Sequence, residues 1–389
     1  MRYSTHVLKT CLLSGCLLGV AGCGAGSPGG VFIQPPPPTP EFVYATATND
    51  NTVVAGFSLD PMTGALSSLG STPGPDQGVP VADPTGNYLY VSDTYFNDQV
   101  YVYSIDPATG VLSDLPGSPF VFAPSASSSA LYGVAIDPLG KFIYYSVFSP
   151  IGIGGAEING STGSLLGNSY VFVPATIQIE ETAFAPSGSF LFAANAADSF
   201  GSDYLVFSVD PNSGALTQVP GSPFTVDPNS EPLSVAVHPS GSFLYSALNN
   251  SLSAQTSGIA AMTIDSGTGA LALVAGSPFS AGTGFQHLVV HKSGKFLYAV
   301  TTAADNVYGF AIDQGSGALT PLSDPFPTGA APISLEFDAT GQFLLVGNFV
   351  DSTISVFRMD STSGALSQIA GSPFPAGLHV GYLTVAQAH

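Results

Sequence analysis

Basic side chains are nearly missing from this chain: Lys and Arg number 6 against 26 Asp and Glu, giving a formal charge of −20. With no basic cluster, binding to a nucleic-acid backbone by charge neutralisation is excluded as a default, and no nucleic-acid partner is expected. Charge of either sign is scarce, at 8% of residues where a soluble domain carries roughly 25%. Disorder is excluded as well, because 45% of the residues are hydrophobic and 11% aromatic, enough to build a core. Cysteine occurs only at positions 11, 16 and 23. A mainly helical fold is disfavoured, since 45 Gly and 32 Pro interrupt a chain of 389 residues.

Arg2 and Lys9 precede an apolar stretch from Cys11 to Ala21, broken by Ser14 and glycines, in the layout of a secretory signal. The stretch is too short to span a bilayer comfortably. It ends in Val20-Ala21-Gly22-Cys23, which resembles the lipobox of bacterial lipoproteins. The resemblance implies that residues 1–22 are a signal peptide and that Cys23 carries lipid, palmitate included. It also implies a protein anchored at the cell envelope, outside the cytoplasm, with membrane contact through the lipid only. Gly24 just after the Cys resembles an outer-membrane address. Cys11 and Cys16 leave with the signal, so no internal disulfide can form and packing alone must stabilise the fold. Four cations then remain, Lys141, Lys292, Lys295 and Arg358, and the formal charge becomes −22. Residues 23–41 combine the lipidated Cys with a Gly- and Pro-rich tether, whose Pro35–Pro38 run favours a stiff polyproline II rod.

From residue 42 to 389 one pattern repeats. The motif Asp-Pro-x-Thr/Ser-Gly-Ala-Leu and its variants begin at Asp60, Asp106, Asn159, Asp210, Asp265, Asp313 and Asp360, at a mean interval of 50 residues. Each follows an alternating run such as Gln99–Ile105 or Thr353–Met359, the signature of a strand with one face to a core. Asp closes an Asx-turn, Pro presets φ and Gly takes the left-handed position of a tight hairpin. Aromatic strands beginning at Phe42, Tyr88, Phe142, Phe190, Phe243, Phe296 and Phe343 form a second set of seven. All but the first follow a short turn and a small apolar strand, so one unit holds four strands. The first unit lacks its opening strand, and His379–Ala386 is left unpaired at the other end. The pattern predicts an all-β, seven-bladed β-propeller of four antiparallel strands per blade. The first blade is closed by the C-terminal strand, which removes the exposed sheet edges. A monomer is expected. Gly-Ser-Pro-Phe recurs at 117, 221, 276 and 371, with a partial copy at Asp324-Pro-Phe326; it reads as a packing device at the start of each crossing to the next blade, its Phe between blades.

Short uniform turns occupy one face of such a ring. Longer, variable loops, such as 92–99, 195–203 and 249–258, occupy the other, which is the candidate functional face. Aligning the opening strands on their turns brings Val79, Gly133, Glu181, Ser234, His287, Ser334 and Tyr382 to one level of the central channel. Glu181 and His287 are the candidate catalytic pair, since a carboxylate and an imidazole can share acid–base work. Two blades separate them, so direct contact is not expected. Tyr132, Glu180, Gln286 and His379 are the candidate ligand-binding neighbours. His238 and His291 lead turns where other units have Asp, and read as turn residues. No metal-spaced His pair, nucleophile elbow or phosphate-binding glycine loop appears, so neither metal nor cofactor is expected; the acids of Asp93–Asp98 read as solvated loop residues rather than a Ca²⁺ site.

The units, of the form Pro-Ser-Gly-x-Phe-Leu-Tyr, polar loop, Val-x-x-Phe-x-Ile-Asp and Thr-Gly-Ala-Leu, resemble the seven-bladed lactonase family, which includes the propeller type of 6-phosphogluconolactonase and is related to YVTN-repeat propellers. The best local match is Gln286–Tyr298. There His287 and His291 match family histidines, while Gln286 replaces an Arg and Thr301-Thr302 replace an Asn-Glu pair. The resemblance thus implies a lactonase scaffold lacking groups that would handle substrate charge and protons. A phosphorylated lactone would also meet a strongly anionic protein. Two readings follow. In one the propeller is a binding or interaction module for a glycan, an envelope component or another protein. In the other it is a carboxylic ester hydrolase opening a neutral sugar lactone, with His287 as base or electrophile and Glu181 assisting.

Overall fold

The computed structural model describes residues 39–387 apart from loop segments at 48–51, 76, 95–98, 122–129, 176–177, 197–201, 226–230, 250–257, 281, 283 and 323–324. The signal segment, Cys23 and the tether up to residue 38 lie outside the described residues, as do parts of the loops 92–99, 195–203 and 249–258. Every regular element among the described residues is a strand. The strands form seven antiparallel sheets, each pairing in sequence order from the innermost strand outward. The second blade is typical: Gly78–Ala82, Tyr88–Asp93, Gln99–Ile105 and Leu112–Asp114. The first blade is the exception, because its innermost strand is Val380–Gln387, which pairs with Glu41–Ala47 from Glu41↔Gln387 to Ala47↔Val380. Each innermost strand then touches the next all the way round, so the sheets close into the expected propeller.

The turn chemistry follows the sequence. Asp60 Oδ1 accepts the backbone N–H groups of Met62 and Thr63 at 2.9 and 2.7 Å, and Asp106, Asp210, Asp265, Asp313 and Asp360 repeat the pattern. The glycine of the motif is fixed twice over. Gly364 has φ 73°, and a Cβ there would sit 2.6 Å from the Phe296 ring of the preceding blade. The aromatic strand also ties blades together by hydrogen bonds. The hydroxyls of Tyr44, Tyr90, Tyr144, Tyr245 and Tyr298 donate to the carbonyls of Gly110, Gly163, Gly214, Gly317 and Gly364 in the next blade. Seven hydrophobic cores, each shared by two adjacent blades, complete the ring.

Gly-Ser-Pro-Phe sits elsewhere than the sequence suggests. It interrupts the outermost strand instead of opening the crossing to the next blade: in the seventh blade Leu366–Gln368 and Phe374–Pro375 both pair with Thr353–Met359. Gly at φ 88–92° and a Pro lacking an N–H break the ladder. The Ser hydroxyl replaces the missing acceptor, taking the N–H of Val102, Val206, Ala261 and Val356 in the respective blades. The first and third blades lack the motif, and their outer strands, Leu66–Pro73 and Leu165–Pro174, run unbroken. The Phe side chains are half-buried, and those at 120, 224, 279, 326 and 374 pack on the inter-blade cores.

Candidate functional site

The innermost strands are short and alternate apolar and polar residues, so one set of side chains is directed towards the neighbouring blade and the channel. Six of the seven carry a β-bulge at one level, between Ile179 and Glu181, Pro232 and Ser234, Phe285 and His287, Pro332 and Ser334, and at the matching places opposite Tyr145/Ser146 and Thr46/Ala47. A bulge sets two residues against one and re-aims their side chains. Here that delivers Glu180 and Glu181, or Gln286 and His287, to the channel from a single strand. In the third blade the bulge places Tyr132, rather than Gly133, opposite Ser146.

The channel holds a cavity of about 470 Å³. It is lined by Val79, Tyr132, Gly133, Glu180, Glu181, Gln286, His287, Ser334 and Tyr382, together with Leu233 and Glu336. Ser234 stands beside it, its hydroxyl accepting the N–H of Leu288 at 3.3 Å.

Against expectation, the candidate pair is in contact. His287 Nε2 lies 3.2 Å from Glu181 Oε1, with the two side chains 26% and 27% exposed. The long side chains reach across the front of the fifth blade, a span that strand spacing alone does not reveal. Each partner is also held at its other end: Val235 N–H donates to Glu181 Oε2 at 3.2 Å, and Leu335 N–H donates to His287 Nδ1 at 3.3 Å. Nδ1 is therefore an acceptor, and the neutral ring carries its proton on Nε2, pointed at the carboxylate. Burial opposes charge on the imidazole, but Glu181 beside it and Glu336 farther off outweigh this, so its pKa lies above the ordinary value.

Glu336 is the residue that alignment at one level misses. It lies two positions beyond Ser334, on the same face of the strand Pro332–Phe337. Burial raises its carboxyl to about 7, with His287 pulling it down and Glu181 pushing it up. No hydrogen bond ties its carboxyl to other described residues. Tyr382 is pushed up to about 12 by burial and by the carboxylates of Glu180 and Glu181. Glu180 Oε1 accepts a hydrogen bond from Gln178 Nε2 at 2.8 Å.

Of the ligand-binding candidates, Tyr132, Glu180 and Gln286 line the cavity and His379 does not. His379 is exposed; its Nδ1 donates to Phe349 O at 2.8 Å and its ring packs 5.1 Å from that of Phe349. His238 and His291 hold turns, with Nδ1 accepting from Ser240 and Ser293 N–H, and Nε2 bound to Gly294 O and Gly341 O of the next blade. None of the four cations lines the cavity. On the short-turn face, Lys141 and Lys292 bind carbonyls of adjacent blades, as does Arg358 with Met62 O. Among the described residues no group of three His, Cys, Asp or Glu is arranged to hold a metal ion.

Residues 278–380 match the model of the seven-bladed β-propeller lactonase family. A 6-phosphogluconolactonase of Formosa agariphila is 34% identical over 82 residues, which cover 21% of this chain and 23% of that protein. A protein of Bacteroides uniformis has the same fold at TM-score 0.73 and 20% identity, over 90% of this chain and 99% of the other. The periplasmic gluconolactonase of Pseudomonas aeruginosa superposes at TM-score 0.71 and 18% identity, over 90% and 99%. The protein is a seven-bladed β-propeller whose sixth and seventh blades carry the sequence signature of the lactonase family.

Proposed function

We propose that the channel cavity binds a small polyhydroxylated ligand without negative charge and does not turn it over, the propeller serving as a binding module tethered by lipid at Cys23 on the extracytoplasmic side of the envelope. The observation that carries this reading is the state of His287. Nδ1 is engaged by Leu335 N–H and Nε2 by Glu181, so the ring offers no free lone pair to a water or a lactone. Glu181 is occupied at both oxygens. No Lys or Arg stands in the cavity to stabilise an oxyanion or a phosphate, which counts against the phosphorylated lactone named by the Formosa relative. A glycan or another envelope component fits the surroundings such an anchor would provide.

A second reading, opening of a neutral sugar lactone, is favoured by the His287–Glu181 contact itself. A ligand that drew Leu335 or Glu181 away would free a base oriented by a carboxylate. Glucono-δ-lactone separates the two. The binding reading expects lactone opening at the buffer rate, with a saturable rise in melting temperature for wild type that Tyr382→Ala abolishes. A rate above buffer that disappears in His287→Ala establishes the hydrolase instead.

A further inference from the structure

The cavity's polar inventory is lopsided. Three carboxylates, Glu180, Glu181 and Glu336, face two phenols, an amide and one imidazole, with no ammonium or guanidinium among the lining residues. Glu181 is hydrogen-bonded to His287, whereas the carboxyl of Glu336 has no hydrogen-bonded partner among the described residues. Ser334 lines the cavity with other atoms; its hydroxyl is buried within the wall, without a hydrogen-bond partner among the described residues. The side chains of Tyr132, Tyr382 and Gln286 make no hydrogen bond to other described residues. A bare metal ion does not suit this layout, because no three acidic or imidazole groups converge on one point. The unpaired groups are spread over a cavity of about 470 Å³, within the range of small-molecule sites.

We propose that the ligand is a protonated polyhydroxylated amine, an amino sugar or aminocyclitol, with its ammonium beside Glu336 and its hydroxyls paired by Tyr132, Gln286 and Tyr382. This rests on the binding reading above and adds the sign of the ligand's charge. The neighbouring acids point the same way: after burial, Glu180 and Glu181 raise Tyr382, and Glu181 raises Glu336.

A charge series on one sugar frame tests it by calorimetry at pH 7 on the intact protein: glucosamine, glucose and gluconate, carrying positive, zero and negative charge. Glucosamine is expected to bind about tenfold more tightly than glucose, with gluconate weakest. Glu336→Gln should remove the preference, bringing the affinities for glucosamine and glucose within about twofold of each other. The wild-type ranking stands on its own if that variant does not fold. Glucose binding as tightly as glucosamine, or gluconate binding best, overturns the cationic ligand and leaves the binding reading intact. Binding of none of the three overturns both.

Discussion

The hydroxyl of Tyr298 donates to the carbonyl of Gly364, 2.6 Å away and one blade farther round the ring. Four other blades make the same bond; the fourth and seventh do not, because Phe192 and Leu345 stand at that position. Tyr298→Phe should therefore cost about 1 kcal/mol in urea unfolding. Phe192→Tyr, aimed at the Gly269 carbonyl, should gain a similar amount at equal ring volume. Unchanged midpoints in both would show that these bonds do not hold the blades together.

Closure of the first blade is the second test. Val380 and Leu383 are buried in the core shared by the seventh and first blades, and each contributes about 1.5–3 kcal/mol by burial. A chain ending at Leu378 should melt well below the intact protein and expose apolar surface to a hydrophobic dye. A synthetic peptide spanning 379–389 should restore it in trans. A truncated chain that melts like the full one would mean the ring does not depend on this strand.

Stability should fall as pH rises from about 4.5 to about 7. Glu41 and Glu336 are both raised from 4.5 to about 7, Glu41 by burial and by Asp338. An acid that binds its proton more tightly when folded stabilises the fold below its unfolded pKa and loses that contribution as pH climbs through the folded value. His287, raised above 6.5, acts in the same sense at the upper end of this window, while His291, lowered by burial, opposes it and is outweighed by the two carboxyls. Melting curves across pH 4–8 should slope downward, and Glu41→Gln with Glu336→Gln should flatten them. An upward slope in wild type would contradict the raised carboxyls.

For the anchor, labelled palmitate should enter the wild-type protein in an expressing bacterium and be absent from Cys23→Ala. Equal labelling would remove the lipid attachment from the proposal.

The ring was legible because turn chemistry and strand alternation repeat at a near-constant interval, and a propeller is the architecture in which each repeat buries its faces against its neighbours. The level of Glu181, Ser234, His287 and Ser334 was legible for the same reason, since strand period two carries a register from blade to blade. The contact between Glu181 and His287 was not, because sequence spacing does not encode the width of the channel that two long side chains cross. Glu336 escaped because it lies one strand period deeper, below the aligned level. Gly-Ser-Pro-Phe was misplaced along its strand because a Gly and a Pro announce a break without saying whether pairing resumes beyond it; in five blades a short resumption is present, four as strands and one as the bridge Ile259↔Phe279.

The pairing of Glu41–Ala47 with Val380–Gln387 joins the first strand of the described residues to the last. During synthesis the early sheet therefore waits with an unpaired edge until more than three hundred further residues have emerged. Tyr382 of that closing strand lines the cavity, so the binding site is whole only once the ring is shut.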